Sequence, residues 1–176
     1  MAAQEARKLE FMISYTQQNT NALHLSEKLW SSLTNDGHSV WLDVHEADKS
    51  EAAMEDAVNR ADGVLAIITD NQGVPGNAYF ERGFCLKELR WACAAGTFIQ
   101  PVITAKDKGR IAEFMRLAPI DLQHLRQVDF VDLNWSDQDY WDVGVKKIIQ
   151  HVRSKPKLRP IVAVSTSLAS PQVAPE

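Results

Sequence analysis

The most constraining feature of this sequence is its most apolar segment, residues 63–69, which reads GVLAIIT. A strand with one solvated face alternates apolar and polar side chains, and this segment does not alternate. Because continuous apolar character is typical of a strand buried on both faces, the segment predicts a central strand of a parallel sheet. A sheet of that kind needs helices on both faces, so we expect strands and helices to alternate along the chain.

The rest of the chain follows this alternation. Further β-rich segments predict strands at residues 9–15, 38–44, 97–103 and 128–133. Apolar residues at helical spacing predict helices over residues 21–35, 52–61, 79–95 and 137–152, with short helices around residues 110–117 and a break at Pro119. Ser50 is the predicted N-cap of the second helix, and Gly96 is the predicted end of the third. The pattern predicts an α/β protein of the flavodoxin-like, doubly wound class, with a five-stranded parallel sheet and helices on both faces.

Composition places this fold in a single domain. With 176 residues and 45% hydrophobic residues, the chain is long enough for one sizeable core. We expect residues 1–8 to be an N-terminal extension and residues 9–152 to form the domain. Residues 153–176 are rich in Pro, Ser and Ala and predict a tail or linker.

Charge and hydropathy exclude several classes of partner. The formal net charge is −4, and no basic stripe is present, which disfavours nucleic-acid binding. A membrane helix needs about 20 consecutive apolar residues, and no apolar run approaches that length. The first ten residues lack the apolar stretch of a signal peptide, so we expect a cytoplasmic protein. Cys85 and Cys93 lie eight residues apart in one predicted helix, about 12 Å along its axis, and should be reduced, half-buried thiols.

The loops after the first three strands should carry the chemistry, because ligands bind at the carboxyl ends of the strands in doubly wound sheets. These loops begin at Thr16, His45 and Asp70. The first reads TQQNTN, which excludes the glycine-rich phosphate loops of dinucleotide and P-loop folds. A phosphoacceptor receiver is expected to carry acidic residues around the end of its first strand and an Asp at the end of its third. These strands end in Ser14-Tyr15 and Thr69-Asp70 here, which disfavours that class. The histidines and cysteines show none of the usual zinc-site spacings, so we expect no metal site.

One carboxylate stands out in the segment after the third strand, RGFCLKELRWA. Glu88 has apolar and basic neighbours there, and it shares a helix face with Phe84, four residues earlier. Two interpretations are open. Glu88 is either a surface carboxylate paired with Arg82, Lys87 or Arg90, or part of a functional site.

Four blocks of sequence, taken in order, resemble the Toll/interleukin receptor (TIR) domain family. FMISY resembles the first strand of that family, and GHSVWLDV resembles its second strand. MEDAVNRADGVLAIIT resembles its segment of a small-residue helix followed by an apolar strand. FCLKEL is similar to the [WF]-C-x-x-E-[LI] block of plant immune receptors and of the animal NAD hydrolase that drives axon degeneration. The resemblance spans roughly residues 9–152.

The resemblance implies a site. In the enzymatic TIR domains the matching Glu cleaves the bond between nicotinamide and ribose in NAD, which assigns the catalytic role to Glu88. Phe84 matches an aromatic wall of the pocket, unless it is a core residue. Asp43 matches a strand-2 residue that is more often structural than catalytic. The substrate-contact positions implied in this way are Tyr15, Thr16, Asp43, His45 and Phe84, with NAD as a substrate and no separate cofactor.

The resemblance also leaves alternatives open. The first is an NAD nucleosidase of defence or cell-death signalling that is activated by self-association, with residues 45–50 and 73–77 as candidate contact surfaces. A second is a non-catalytic TIR module that assembles with itself or with other TIR proteins. A third is a TIR domain that processes other nucleotides or cleaves nucleic acid. The loop HEADKS lacks the Pro-Gly step of signalling receptors, which disfavours the receptor type.

Overall fold

The computed structural model describes residues 8–157, and all structural statements below concern this part of the chain. Most of the predicted N-terminal extension and of the predicted tail lies outside the described residues.

The fold is built on one parallel sheet with the strand order β2-β1-β3-β4-β5. Every neighbouring pair is parallel, as in the register Met12 to Val64 and Val64 to Ile99. The strands are β1 (Phe11–Ser14), β2 (Val40–Trp41), β3 (Gly63–Ile67), β4 (Phe98–Thr104) and β5 (Val131–Leu133). All five residues of β3 are buried, which confirms the central strand predicted from GVLAIIT.

Five α-helices connect and cover the strands. They are α1 (Thr20–Asn35), α2 (Glu51–Arg60), α3 (Gly83–Ala95), α4 (Ile111–Met115) and α5 (Gln138–Arg153). The 3₁₀ turns are Asp43–His45, Tyr79–Glu81, Ala105–Arg110 and Ile120–Gln127. Side chains of Asn19, Ser50 and Asp137 cap α1, α2 and α5, and α3 ends at Gly96 in the left-handed conformation, with a φ of 66°.

Side chains alternate across β3 and divide the core into two layers. Val64 and Ala66 pack with α2, α3 and the segment 111–127. Leu65 and Ile67 pack on the other face of the sheet, with α1 and α5. This arrangement confirms the doubly wound α/β fold, and it leaves the carboxyl ends of β1, β2 and β3 at one edge of the molecule.

Some predicted boundaries were wrong for local reasons. The second strand is only two residues long, because a 3₁₀ turn begins at Asp43. The Asp43 carboxylate accepts a hydrogen bond from the backbone amide of Val44 at 2.8 Å. The helix predicted over residues 79–95 begins only at Gly83, and a separate 3₁₀ turn, Tyr79–Glu81, precedes it. In this turn the Glu81 carboxylate accepts hydrogen bonds from the backbone amides of Gly76 and Ala78, both at 3.0 Å.

The cysteines also differ from the expectation. Both are free, but Cys85 is buried and Cys93 is exposed, so neither is half-buried.

Candidate active site

A cavity of about 330 Å³ opens at the carboxyl ends of β1 and β2, against the first turns of α3. It is lined by Ile13, Tyr15, Thr16, Gln17, Trp41, Asp43, Lys49, Met54, Arg82, Phe84, Cys85 and Glu88. Two larger cavities are present elsewhere: one of about 540 Å³ around Lys8 and Lys157, and one of about 530 Å³ beside β5. Neither of them contains a buried carboxylate, so the smaller cavity is the chemically distinctive one.

Glu88 lies in this cavity with only 8% of its surface exposed. The Ser14 hydroxyl donates a hydrogen bond to Oε2 of Glu88, and the Tyr79 hydroxyl lies 2.7 Å from Ser14 Oγ. Within residues 8–157, no hydrogen bond involves the other carboxylate oxygen of Glu88. The site therefore holds one oxygen of Glu88 in place and leaves the second available.

Burial changes the acidity of Glu88. Loss of hydration disfavours the charged form and is the main reason that the pKa of Glu88 is raised to about 8. The hydrogen bond from Ser14 favours the charged form and offsets part of this effect. The negative charge of Asp43 raises the pKa slightly further. At neutral pH most Glu88 side chains are therefore protonated in the ligand-free protein.

Asp43 connects the loops on either side of the cavity. Its carboxylate accepts hydrogen bonds from the Tyr15 hydroxyl at 3.0 Å, from the Gln17 amide and from the Val44 backbone. These bonds occupy both oxygens of Asp43. The arrangement fits the structural role that the resemblance favoured for this residue. Burial and the nearby Asp43 charge raise the pKa of Tyr15 well above its usual range, so Tyr15 keeps its proton as a donor.

Two other residues expected at the site also border the cavity. Phe84 is 52% exposed at its mouth, so it is not a core aromatic. Thr16 is 1% exposed, and its hydroxyl has no hydrogen-bond partner in the described part of the chain. An unpaired buried hydroxyl is uncommon in proteins and calls for an explanation.

The structure does not bring His45 to the cavity. The 3₁₀ turn at Asp43–His45 directs this residue toward α1, where its Nε2 lies 2.9 Å from the Glu27 carboxylate. The ring stacks on Trp30 with a centroid separation of 3.8 Å. From the same loop, Lys49 lines the cavity instead.

The surface interpretation of Glu88 is wrong. Among the basic residues considered for it, Lys87 pairs with Glu51 at 2.7 Å and Arg90 pairs with Asp121 at 2.8 Å. No ion pair of Arg82 is found within residues 8–157. Glu88 instead faces the sheet and bonds to Ser14.

Sequence reasoning missed the residues that hold Glu88. Ser14 carries a weak signal, since it is the one hydroxyl residue in the apolar strand β1. Tyr79 carries none, because its contact with Ser14 joins positions 65 residues apart. Gln17, Lys49 and Arg82 are polar loop or helix-start residues with nothing to single them out.

Comparison with known proteins agrees with the resemblance. A sequence model of the family described as TIR domain matches residues 11–149. The chain belongs to the TIR domain family. A comparison with functionally curated sequences gave no significant match.

Solved TIR structures share this fold at low sequence identity. The TIR domain of the Toll-related receptor TRR-2 from Hydra magnipapillata has a TM-score of 0.56 and 14% identity, covering 81% of this chain and 97% of that one. The TIR domains of the activated Roq1 resistosome give 0.55 and 11%, covering 82% and 99%. A TIR-STING receptor from C. gigas gives 0.53 and 18%, covering 83% of this chain and 39% of the receptor.

Two further findings concern the described residues. Among residues 8–157, no group of three or more His, Cys, Asp or Glu side chains is arranged to hold a metal ion. In the same range, no helix is long and apolar enough to cross a membrane.

Proposed function

We propose that this TIR domain is an NAD nucleosidase that cleaves the bond between nicotinamide and ribose, with Glu88 as the catalytic carboxylate. The observation that carries the proposal is the buried Glu88 at the cavity, held at one oxygen by Ser14 and free at the other. The similarity of FCLKEL to the block of enzymatic TIR domains supports the same residue.

The chemistry suits a single carboxylate. When the bond between nicotinamide and C1′ breaks, its electron pair goes to the ring nitrogen and neutralises the pyridinium. Nicotinamide therefore leaves without a general acid, unlike the leaving group of an ordinary glycoside. Positive charge develops on the ribose, and an ionised Glu88 nearby stabilises it. Water then adds to C1′ and loses a proton, which gives ADP-ribose.

The raised pKa of Glu88 is compatible with this role. A buried carboxylic acid becomes ionised more easily once a cation lies beside it. The nicotinamide ring of NAD carries that positive charge, so the substrate itself favours the charged form of Glu88. The free carboxylate oxygen is the atom that can accept a hydrogen bond from a ribose hydroxyl.

The proposal includes self-association in defence or cell-death signalling and a cytoplasmic location, as the resemblance and the sequence suggest. The candidate contact segments are accessible. Residues 72–76 are exposed, and so are residues 47–50 of the loop after β2. We expect nicotinamide release per molecule to rise with protein concentration.

The test compares the parent protein with Glu88→Gln, which keeps the shape of the side chain and removes its charge. Each protein is incubated with NAD at high concentration, and nicotinamide, ADP-ribose and its cyclic isomer are separated by chromatography. Glu55→Gln is the matched control, because Glu55 is an exposed helical carboxylate on α2. We expect release by the parent and the control and a loss of about 100-fold or more in Glu88→Gln. Equal release by Glu88→Gln, with its fold verified by circular dichroism, contradicts the proposed role.

A second candidate function is a non-catalytic TIR interaction module. The observation that favours it is an exposed apolar segment after α4, where Ile120 is 91% exposed and Leu117 is 50% exposed. Large apolar side chains exposed close together along the chain are common at protein contact sites. Absence of nicotinamide release by the parent at every concentration supports this second function.

A further inference from the structure

His45 lies outside the cavity, where it makes two specific contacts with α1. Its imidazole stacks on the indole ring of Trp30, with the ring centroids 3.8 Å apart and the ring planes 15° from parallel. Its Nε2 lies 2.9 Å from the carboxylate of Glu27, one helical turn earlier on α1. Trp30 is half-buried and packs against the core layer of α1 and α5, so it is a firm support. The resemblance placed His45 among the substrate contacts, and its position on α1 calls for a different role.

The 3₁₀ turn Asp43–His45 connects these contacts with the cavity. The His45 amide donates to the Leu42 carbonyl at 2.9 Å, and the Glu46 amide donates to the Asp43 carbonyl at 3.1 Å. Hydrogen bonds of this i to i+3 type close the backbone into a tight turn. Because Asp43 and His45 are two residues apart in that turn, holding the His45 ring on α1 also fixes the position of Asp43.

Asp43 holds one wall of the cavity. Its carboxylate accepts hydrogen bonds from the Tyr15 hydroxyl at 3.0 Å and from the side-chain amide of Gln17, and all three residues line the cavity. Within residues 8–157, each of these two donor groups bonds only to Asp43. The orientation of this wall therefore depends on the place of the Asp43 carboxylate.

Glu88 is held by a different set of contacts. Ser14 of β1 donates to its carboxylate, and Tyr79 lies 2.7 Å from Ser14 Oγ. In the part of the chain that the structure describes, neither hydroxyl bonds to the turn at Asp43. A change at His45 should therefore disturb the wall of the cavity and leave the catalytic carboxylate in place.

We infer that His45 is a positioning residue of the proposed site, anchored on Trp30 of α1. It holds the turn at Asp43 and thereby fixes the Tyr15 and Gln17 wall against which the substrate binds. The kinetic consequence of this inference rests on the proposed function, whereas the positioning itself can be measured without catalysis. An interaction that is equally strong with the substrate and with the transition state affects KM and leaves kcat unchanged.

Steady-state kinetics of nicotinamide release test that consequence with three variants. His45→Ala removes the ring, whereas His45→Phe keeps an aromatic ring that can stack on Trp30. His24→Ala is the matched control, because His24 is an exposed histidine of α1.

We expect His45→Ala to raise KM about tenfold, with kcat within about twofold of the parent. His45→Phe should recover most of that loss, and His24→Ala should match the parent. An unchanged KM in His45→Ala, a fall in kcat alone, or no recovery in His45→Phe overturns the inference.

NMR of the ligand-free protein tests the positioning without catalysis. The Tyr15 hydroxyl and the Gln17 side-chain amide both donate to Asp43, so the signals of the Tyr15 ring and of that amide report the place of the carboxylate. Both signals should shift in His45→Ala and stay in place in His24→Ala. Unshifted signals in His45→Ala contradict the inference. If the parent releases no nicotinamide but the signals shift as expected, the proposed function fails and the positioning role of His45 stands.

Discussion

The Ser14 hydroxyl can donate one hydrogen bond, and it donates this bond to Glu88. The Tyr79 hydroxyl, 2.7 Å from Ser14 Oγ, must then be the donor in the second bond. Tyr79 is fully buried and keeps its proton, because burial and the nearby Glu88 charge raise its pKa well above the usual range. This chain of donors, Tyr79 to Ser14 to Glu88, favours the ionised form of Glu88 within a site that otherwise disfavours it.

The first prediction concerns the pH dependence of catalysis. Because the ionised Glu88 is the active form, kcat/KM of the parent should rise with pH and level off above about 8, the pKa of Glu88 in the free protein. Ser14→Ala removes a hydrogen bond that lowers this pKa, so the midpoint should move upward. At pH 7 the variant should lose about tenfold in kcat/KM, with partial recovery at pH 9. A uniform loss at every pH, with the midpoint unchanged, would show that Ser14 acts only on the fold.

The second prediction concerns Thr16, whose buried hydroxyl has no partner. Thr16→Val keeps the shape and removes an unsatisfied polar group, which should stabilise the protein by about 1 kcal/mol. If that hydroxyl contributes to substrate binding, the same change should raise KM several-fold with little effect on kcat. Urea unfolding and steady-state kinetics measure the two effects. Destabilisation by Thr16→Val would mean that the hydroxyl is already satisfied in the ligand-free protein.

Helix α5 and strand β5 lie in direct contact through Gly144. A Cβ atom at this position would lie 2.3 Å from Leu133 Cδ2 and 3.3 Å from the Asp132 carbonyl oxygen. Leu133 is itself buried, so it has little room to move. Only glycine permits this close approach of the helix to the edge strand.

The third prediction follows from that contact. Gly144→Ala should destabilise the protein by about 1–3 kcal/mol, because overpacking outweighs the better helix propensity of alanine. Gly109→Ala is the control, since nothing lies within 4 Å of its added Cβ, and it should be neutral. Thermal unfolding measures both. Since β5 and the cavity beside β1 and β2 lie toward opposite edges of the sheet, kcat/KM well below the unfolding temperature should not change in either variant.

The elements were predictable where their signal is local. The apolar run of β3, the helical spacing of α1 and α5, and the caps at Ser50 and Gly96 are all encoded in a few consecutive residues. The end of β2 was only partly predictable, because Asp43 bonds both to the adjacent Val44 amide and to the hydroxyl of Tyr15, 28 residues away. The same holds for the site. Glu88 could be identified by resemblance, whereas its contact with Ser14 joins residues 74 apart and emerges only when β1 and α3 pack together.

The buried position of Glu88 links the proposed site to the stability of the whole fold. A carboxyl group whose pKa is about 8 in the folded protein, against an ordinary value of 4.5, holds its proton more tightly when folded. Between these values the folded state binds more protons than the unfolded state, so stability falls as pH rises. Carboxylates whose pKa is lowered on folding, such as Asp70 and Asp132, make the stability rise with pH. They do so only at pH values below about their ordinary pKa of 3.8.

The last prediction uses this separation of pH ranges. From pH 5.5 to 8, Glu88 alone should reduce the free energy of unfolding by about 1.4 kcal/mol per pH unit, or about 3 kcal/mol in total. Glu88→Gln stays uncharged at every pH, so this contribution should vanish, and the variant should be more stable than the parent at pH 8.5. Urea unfolding at pH 5.5, 7.0 and 8.5 measures the slope, and Glu55→Gln should keep the slope of the parent. Equal slopes for the parent and Glu88→Gln would mean that Glu88 is ionised in the folded protein throughout this range. That result would place the Glu88 carboxylate in water rather than between α3 and the sheet. It would contradict the buried site from which the proposed chemistry is derived.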